Sequence, residues 1–246
     1  MTQLAIIGGT GLTRLEGLKI IERKYIETPF GIPSADYVIG EIDEKTVVFL
    51  ARHGDPHTIP PHKINYRANI WGLKEIGVQK IVAVAAVGGI TSKMAPAHIA
   101  VPDQTIDYSY GRKHTFFEED LEEVTHIDFT SPYSTKLREK LISAAESAKI
   151  SVTPTGTYGC TQGPRLETAA EIQRMERDGC DLVGMTGMPE AALAREQHID
   201  YAALAVVANW AAGKTEGEIT MTEIEQNLHK GMADTAKLLK AFIARL

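Results

Sequence analysis

Two runs, IVAVAAV at 81–87 and YAALAVVA at 201–208, are apolar at consecutive positions instead of alternating with polar ones. A strand with one wet face alternates, whereas a strand apolar throughout is covered on both faces, the habit of sheets with helices packed above and below. Four shorter runs of the same kind lie along the chain: LAII (4–7), VVFLA (47–51), IAV (99–101) and DLVGM (181–185). Between them, the patterns predict helices over Asn65–Ile76, Pro132–Lys149, Thr168–Asp178 and Pro189–Gln197. The expected fold is therefore α/β, and 246 residues with 43% hydrophobic and 24% charged side chains suit one domain spanning 1–246.

The clearest helix is the last. Ile224, Leu228, Met232, Thr235, Leu239, Phe242 and Leu246 recur in steps of three and four, and Thr222 with Glu225 reads as a capping box at its start. That stripe is read as core packing. Tyr108–Thr130 is polar, aromatic and aperiodic, a long loop of the sort that often carries function, with disorder as the alternative.

Charge and cysteine usage exclude several classes of function. Lys and Arg number 26 against 32 Asp and Glu, a net charge of -6 with no basic block, so nucleic acid is not an expected partner. The N-terminus has neither a basic start nor a long apolar core, and no later run approaches a membrane span, so a cytoplasmic protein with no membrane partner is expected. Cys160 and Cys180 have no C-x-x-C spacing and read as ordinary thiols, not a disulfide or zinc framework.

Five stretches could carry chemistry. IIGGTGL (6–12) runs from a strand into glycines and Thr10, whose backbone and hydroxyl donors could surround an anion; a tight turn is the alternative. The third glycine of a dinucleotide fingerprint is missing, with Arg14 in its place. ARHGDPHTIPPHK (51–63) delivers Arg52 and His53 into a proline-containing loop, where a guanidinium fork and an imidazole could both donate to phosphate. His53, His57 and His62 could also suggest a metal, but prolines 56, 60 and 61 preclude a helical ligand pair and no acidic cluster accompanies them. VAAVGG (84–89) ends a buried strand in two glycines that permit close backbone approach, and GPRLE places Glu167 at a helix start, where a cap is the ordinary role. Met185 and Thr186 end a strand just before Pro189 opens a helix. Several of these donors follow strands, where α/β sheets build ligand sites.

Taken together, GGTGL, ARHG, KINYRANIWGLKEIG, AVGGI, QGPRLET and MTGMPEAALARE resemble the trimeric purine nucleoside phosphorylase and methylthioadenosine phosphorylase family, in order and across nearly the whole chain. The resemblance implies a mixed, barrel-like central sheet flanked by helices, the nucleoside phosphorylase fold. It also implies a homotrimer with active sites near subunit interfaces and phosphate-dependent cleavage of a purine nucleoside, a pentosyl transfer needing inorganic phosphate but no metal or other cofactor. Thr10, Arg52, His53, Ala86 through its backbone, and Thr186 match phosphate positions, and Met185 lies against the ribose. Ala85 stands where relatives often have Asn or Thr.

The same resemblance separates the two ends of the substrate. Methylthioadenosine phosphorylases end the strand matching LAVVAN in an Asp-x-Asp pattern, where this chain has Asn209 and Ala211; 6-oxopurine enzymes use an asparagine and a glutamate, here Asn209 and Glu167. An amide offers both N–H and C=O to a 6-oxopurine, and a carboxylate accepts from N1–H but meets a bare lone pair at N1 of adenine. At the 5' end, Met221 and Ile224 replace a histidine donor and suit a thioether, with plain helix packing as the alternative for Met221. His126 matches a position that closes this pocket from a neighbouring subunit. A 6-oxopurine joined to a methylthio end describes S-methyl-5'-thioinosine. A broader inosine and guanosine phosphorylase, a methylthioadenosine phosphorylase and a non-catalytic purine sensor are the alternatives, with a dinucleotide-dependent reductase a distant one.

Overall fold

The computed structural model describes residues 3–9 and 17–246. Strands β1 (Gln3–Gly8), β2 (Lys19–Lys24), β3 (Tyr37–Ile42), β4 (Lys45–Ala51), β5 (Val78–Gly89), β6 (Ile99–Ala100), β7 (Gln104–Asp107), β8 (Val152–Thr153), β9 (Thr157–Cys160), β10 (Leu182–Gly184) and β11 (Asp200–Trp210) form one mixed sheet. Helices α1 (Tyr66–Glu75), α2 (Thr135–Ser147), α3 (Ala169–Arg177), α4 (Gly187–Glu196) and α5 (Met221–Ile243) accompany it. Among the described residues no helix is long and apolar enough to cross a membrane.

The apolar strands are buried on both faces, as their patterns predict. On β1, β5 and β11 alternate residues join opposite cores: Ala5, Ile7, Ile81, Ala83, Tyr201 and Ala203 pack with α1 and α4, while Leu4, Ile6, Val82, Val84, Ala202 and Leu204 pack with α2 and α5. Each buried Leu or Ile in these layers contributes about 1.5–3 kcal/mol relative to exposure. The polar strands escape periodicity. β2, KIIERK, is exposed at all six positions and lies at the end of the strand order, where lysines and arginine on an outer strand discourage further pairing.

The sheet divides along β5. Its first half pairs with β1 from Gln3↔Val78 to Ile7↔Ala83, its last two residues pair with β10, and β11 runs beside nearly all of it. Between Ala83 and Gly88 the edge away from β11 has no strand partner among the described residues, and a cleft opens there. Gly89 is needed at this fork, because a side chain would overlap the Met94 carbonyl.

Helix starts largely follow their cap residues. Asn65, Ser134 and Thr168 accept from the backbone N–H groups of Ala68, Leu137 and Glu171, and Thr168 with Glu171 makes a full capping box. Two expectations need correction. The cap of α5 is Thr220, bonded by the Glu223 N–H, not Thr222 with Glu225. Both pairs read T-x-x-E; the earlier one prevails because, once a cap exists, each added residue gains a hydrogen bond, here Ile224 N–H to Thr220 O. Glu167 does not start α3 but precedes its cap, Thr168. The regular part of α4 begins at Pro189, since Met188 is extended at φ −121°, ψ 139°.

Candidate active site

A cavity of about 680 Å³ occupies the fork, a size typical of small-molecule sites. Arg52, His53, Ala86, Glu167, Met185, Thr186, Asn209, Ala211, Met221 and Ile224 all line it. Ten of the residues proposed from sequence are thus brought together from six separate stretches of chain. Thr10 lies outside the described residues; Gly9, just before it, does line the cavity. His126 is exposed on the 108–130 loop and is not part of the cavity wall.

Arg52 ends up beside β5 because β4 delivers it at the open edge. Its guanidinium is only 2% exposed. Nε and Nη2 donate to the two carboxylate oxygens of Glu190 at 2.7 and 2.8 Å, and Nη1 donates to Val84 O at 3.0 Å. The fork expected to grip phosphate is therefore clasped by Glu190, which also accepts from the Tyr201 hydroxyl at 2.8 Å. A guanidinium carries five N–H groups, so one on each Nη remains for a ligand. Burial works against the charge, but the Glu190 carboxylate outweighs it and pushes the Arg52 pKa up.

The backbone of β5 adds a donor. Successive residues of a strand point their N–H and C=O groups to opposite edges; since Val84 O meets Arg52 on the open edge, the N–H of Ala86 faces the same way. Ala86 is exposed although it sits in the central strand, because the cavity is its neighbour.

His53 is arranged differently from the sequence expectation. Its Nδ1 lies 2.8 Å from Ile59 O, and a carbonyl can only accept, so the proton resides on Nδ1. In the neutral ring Nε2 is then an acceptor, not the expected donor to an anion. Burial lowers the His53 pKa to about 4, and the nearby Arg52 and His57, stacked on it at 4.3 Å, lower it too. A phosphate oxygen meeting Nε2 must bring its own proton.

Among the described α-helices, α4 is the one whose cap residue, Thr186, makes no side-chain cap hydrogen bond. Ser134, Thr168 and Thr220 spend their hydroxyls on their helices, whereas Thr186 does not and lines the cavity. Gly184, two residues earlier, leaves room for the Tyr158 hydroxyl, which a side chain there would strike.

Asn209 closes β11. Its Nδ2 donates to Trp210 O at 2.7 Å, which fixes the amide orientation and turns Oδ1 the other way, with no protein partner among the described residues. One N–H and the carbonyl oxygen thus remain for a ligand. Ala211 beside it is buried and adds no polar group. Glu167 reaches the wall from the loop before α3, and its Oε1 accepts from the Thr161 hydroxyl at 2.6 Å. The wall supplied by α5 is entirely apolar: Met221, Ile224, Leu228 and Met232 line it, and Met221 is 66% exposed at its rim. That exposure excludes plain core packing for Met221.

Two buried residues near the site were not anticipated. Glu190 is fully buried and clamps Arg52 across 138 residues of sequence. Arg112, in the polar loop, is 9% exposed and donates to the carbonyls of Met185, Met188, Thr161 and Gln162. It ties the long loop to the strand ends that carry Met185 and Thr161. Cys160 and Cys180 are free and buried, and burial pushes the Cys160 thiol up to about 12, which leaves it inert as a nucleophile. Among the described residues no cluster of His, Cys, Asp and Glu could hold a metal.

Comparison with known proteins agrees with this geometry. The family model described as Phosphorylase superfamily matches residues 3–244. A Pseudomonas syringae pv. tomato protein named "Probable S-methyl-5'-thioinosine phosphorylase" is 57% identical over all of this chain and 98% of its own length. The "6-oxopurine nucleoside phosphorylase" of Pyrococcus furiosus is 44% identical over 99% of this chain and 92% of its own. Among solved structures, the methylthioadenosine phosphorylase of Schistosoma mansoni in complex with adenine superposes with a TM-score of 0.94 at 31% identity, over 99% of this chain and 91% of that one.

Proposed function

The chain belongs to the phosphorylase superfamily, and on that premise we propose that it cleaves S-methyl-5'-thioinosine with inorganic phosphate, giving hypoxanthine and 5-methylthio-α-D-ribose 1-phosphate. The observation that carries this reading is one cavity joining Asn209 and Glu167 to an α5 wall without a polar side chain. The close structural neighbours are methylthioadenosine phosphorylases, so the fold by itself does not select the base. The side chains make that selection.

In this reading the C1'–N9 bond breaks as a phosphate oxygen bonds C1', and the electron pair leaves with the purine. The ring passes through a cation-like state, so phosphate must be held in line below C1'. Arg52, His53, Thr186, the Ala86 N–H and Thr10 serve that purpose, with Met185 against the ribose. Asn209 stabilises the departing base, its free N–H donating to O6 and its Oδ1 accepting from a protonated N7, while Glu167 accepts from N1–H. Met221 and Ile224 meet the methylthio group. Phosphate is the co-substrate, and no metal or organic cofactor takes part.

We further propose that residues 1–246 form one catalytic domain, that the enzyme works in the cytoplasm as a homotrimer, and that His126 of a neighbouring subunit covers the rim where Met221 is exposed. A broader 6-oxopurine specificity is favoured by the Pyrococcus furiosus relative. The lack of a donor on α5 for a 5'-hydroxyl argues against it. The test is phosphate-dependent release of hypoxanthine from S-methyl-5'-thioinosine beside inosine and S-methyl-5'-thioadenosine at equal concentration. Selective use of the first is expected. Equal use of inosine would overturn the 5' assignment, and a preference for the adenosine compound would overturn the base assignment.

A further inference from the structure

Glu167 can discriminate between bases only if its carboxylate is held as an acceptor, and the group hydrogen-bonded to it is a hydroxyl, not a cation. Arg165, two residues before it, is committed to Glu171 through two hydrogen bonds of 2.8 and 2.7 Å. Among the described residues no lysine, arginine or histidine forms an ion pair with Glu167. Its hydrogen-bond donor among the described residues is Thr161, at 2.6 Å, the length of an O–H···O⁻ bond to a charged acceptor. Thr161 itself is pinned immediately after β9, its N–H bonded to Gly184 O at 2.8 Å.

The pair stands in a partition. Thr161 faces a separate polar cavity of about 470 Å³ and does not line the substrate cavity, whereas Glu167 borders both. A hydroxyl behind the carboxylate takes a lone pair of Oε1 and leaves Oε2 for the ligand. A carboxylate has no hydrogen to offer. A 6-oxopurine presents N1–H and is satisfied; a 6-aminopurine presents a lone pair at N1 and is refused.

We propose that Thr161 is a positioning residue for base selection, fixing Glu167 as an acceptor-only carboxylate without itself touching the substrate. The inference deepens the proposed function and rests on its assignment of Glu167 to the base. Loss of one hydrogen bond to a charged group is worth about tenfold or somewhat more.

The experiment measures kcat/KM for S-methyl-5'-thioinosine and S-methyl-5'-thioadenosine, at saturating phosphate, in the full-length wild type, Thr161→Val, Thr161→Ser, Glu167→Gln and the Thr161→Val/Glu167→Gln double variant. Thr161→Val is expected to lower the inosine compound about tenfold while leaving the adenosine compound within about twofold. Thr161→Ser, which keeps the hydroxyl, should restore the wild-type ratio, and Thr161→Val should add nothing once Glu167 is Gln. Equal losses on both substrates, failure of serine to rescue, or full additivity in the double variant would overturn the positioning role alone. An unchanged base preference in Glu167→Gln would overturn both this inference and the base reading beneath it.

Discussion

The two ends of the cavity are built on different principles. Around Arg52 the protein has already made its bonds: a buried guanidinium, a fully buried Glu190, a Tyr201 hydroxyl and the Val84 carbonyl form a closed cluster that leaves two N–H groups for a ligand. Around the base the opposite holds. Asn209 and Glu167 are half-buried, and each makes one side-chain hydrogen bond to the protein and keeps the rest of its capacity free. Phosphate is the same anion for every substrate, so its site can be rigid and costly to disturb. Bases differ in the 6-substituent and in the proton at N1, so their site has to be set by a few exchangeable groups.

Disrupting the rigid end should have the largest effect. Glu190→Gln removes one carboxylate from a pair lying 2% and 0% exposed, and leaves the Arg52 charge without its counterion. Breaking a buried pair costs about 3–5 kcal/mol, equivalent to a fall in Tm of roughly 6–20 °C in a chain of this size. Thermal melting reads the first consequence. The second is a rise in the KM for phosphate, because Arg52 is no longer aimed; a lower Tm with an unchanged phosphate KM would mean that Glu190 props the fold without orienting the site.

At the adjustable end the expected loss is in rate and not in stability. Asn209→Ala removes both the donor to O6 and the acceptor for N7–H, interactions that strengthen as charge develops on the base. Removal of a comparable transition-state donor lowers kcat by about 10²–10³. Because the amide is half-buried and makes only one bond to the protein, Tm should stay close to the wild-type value. Steady-state kinetics beside a melting curve separates this behaviour from that of Glu190→Gln. Parallel losses of stability and rate in both variants would erase the contrast between the two ends.

The same contrast governs what sequence could reveal. Long apolar strands announce themselves through burial on two faces, so β1, β4, β5, β10 and β11 were legible, and so were the capped helices. β2, β3, β7 and β9 were not, because their residues are exposed, mixed or few. Asn209 stood out because a polar group after a buried run has to find a partner, whereas Glu167 read as a helix cap and gained its place at the base only through the resemblance. Glu190 and Arg112 could not be read. Glu190 reads as an ordinary first-turn helix carboxylate, and Arg112 as one charge in a polar loop; only the fold shows that each is buried and committed. The resemblance supplied residues at both ends of the site but not the clasp that holds Arg52.

The smallest expected effect concerns the proton on His53. With Nδ1 donating to Ile59 O and the pKa lowered to about 4 by burial, the ring stays neutral in the folded protein where an unfolded chain would protonate it near 6.5. The unfolded state therefore binds more protons between those two values. By linkage, the stabilising contribution is fully present above pH 6.5 and is lost as pH falls towards 4. The wild-type Tm should thus drop more steeply from pH 7 to 4.5 than that of His53→Asn, which has no group titrating at that position and whose amide can still donate towards Ile59. The gap should amount to a few degrees. Identical pH profiles would show that His53 is not held neutral, and phosphate would then meet a donor at Nε2 in place of the acceptor that the Ile59 bond requires.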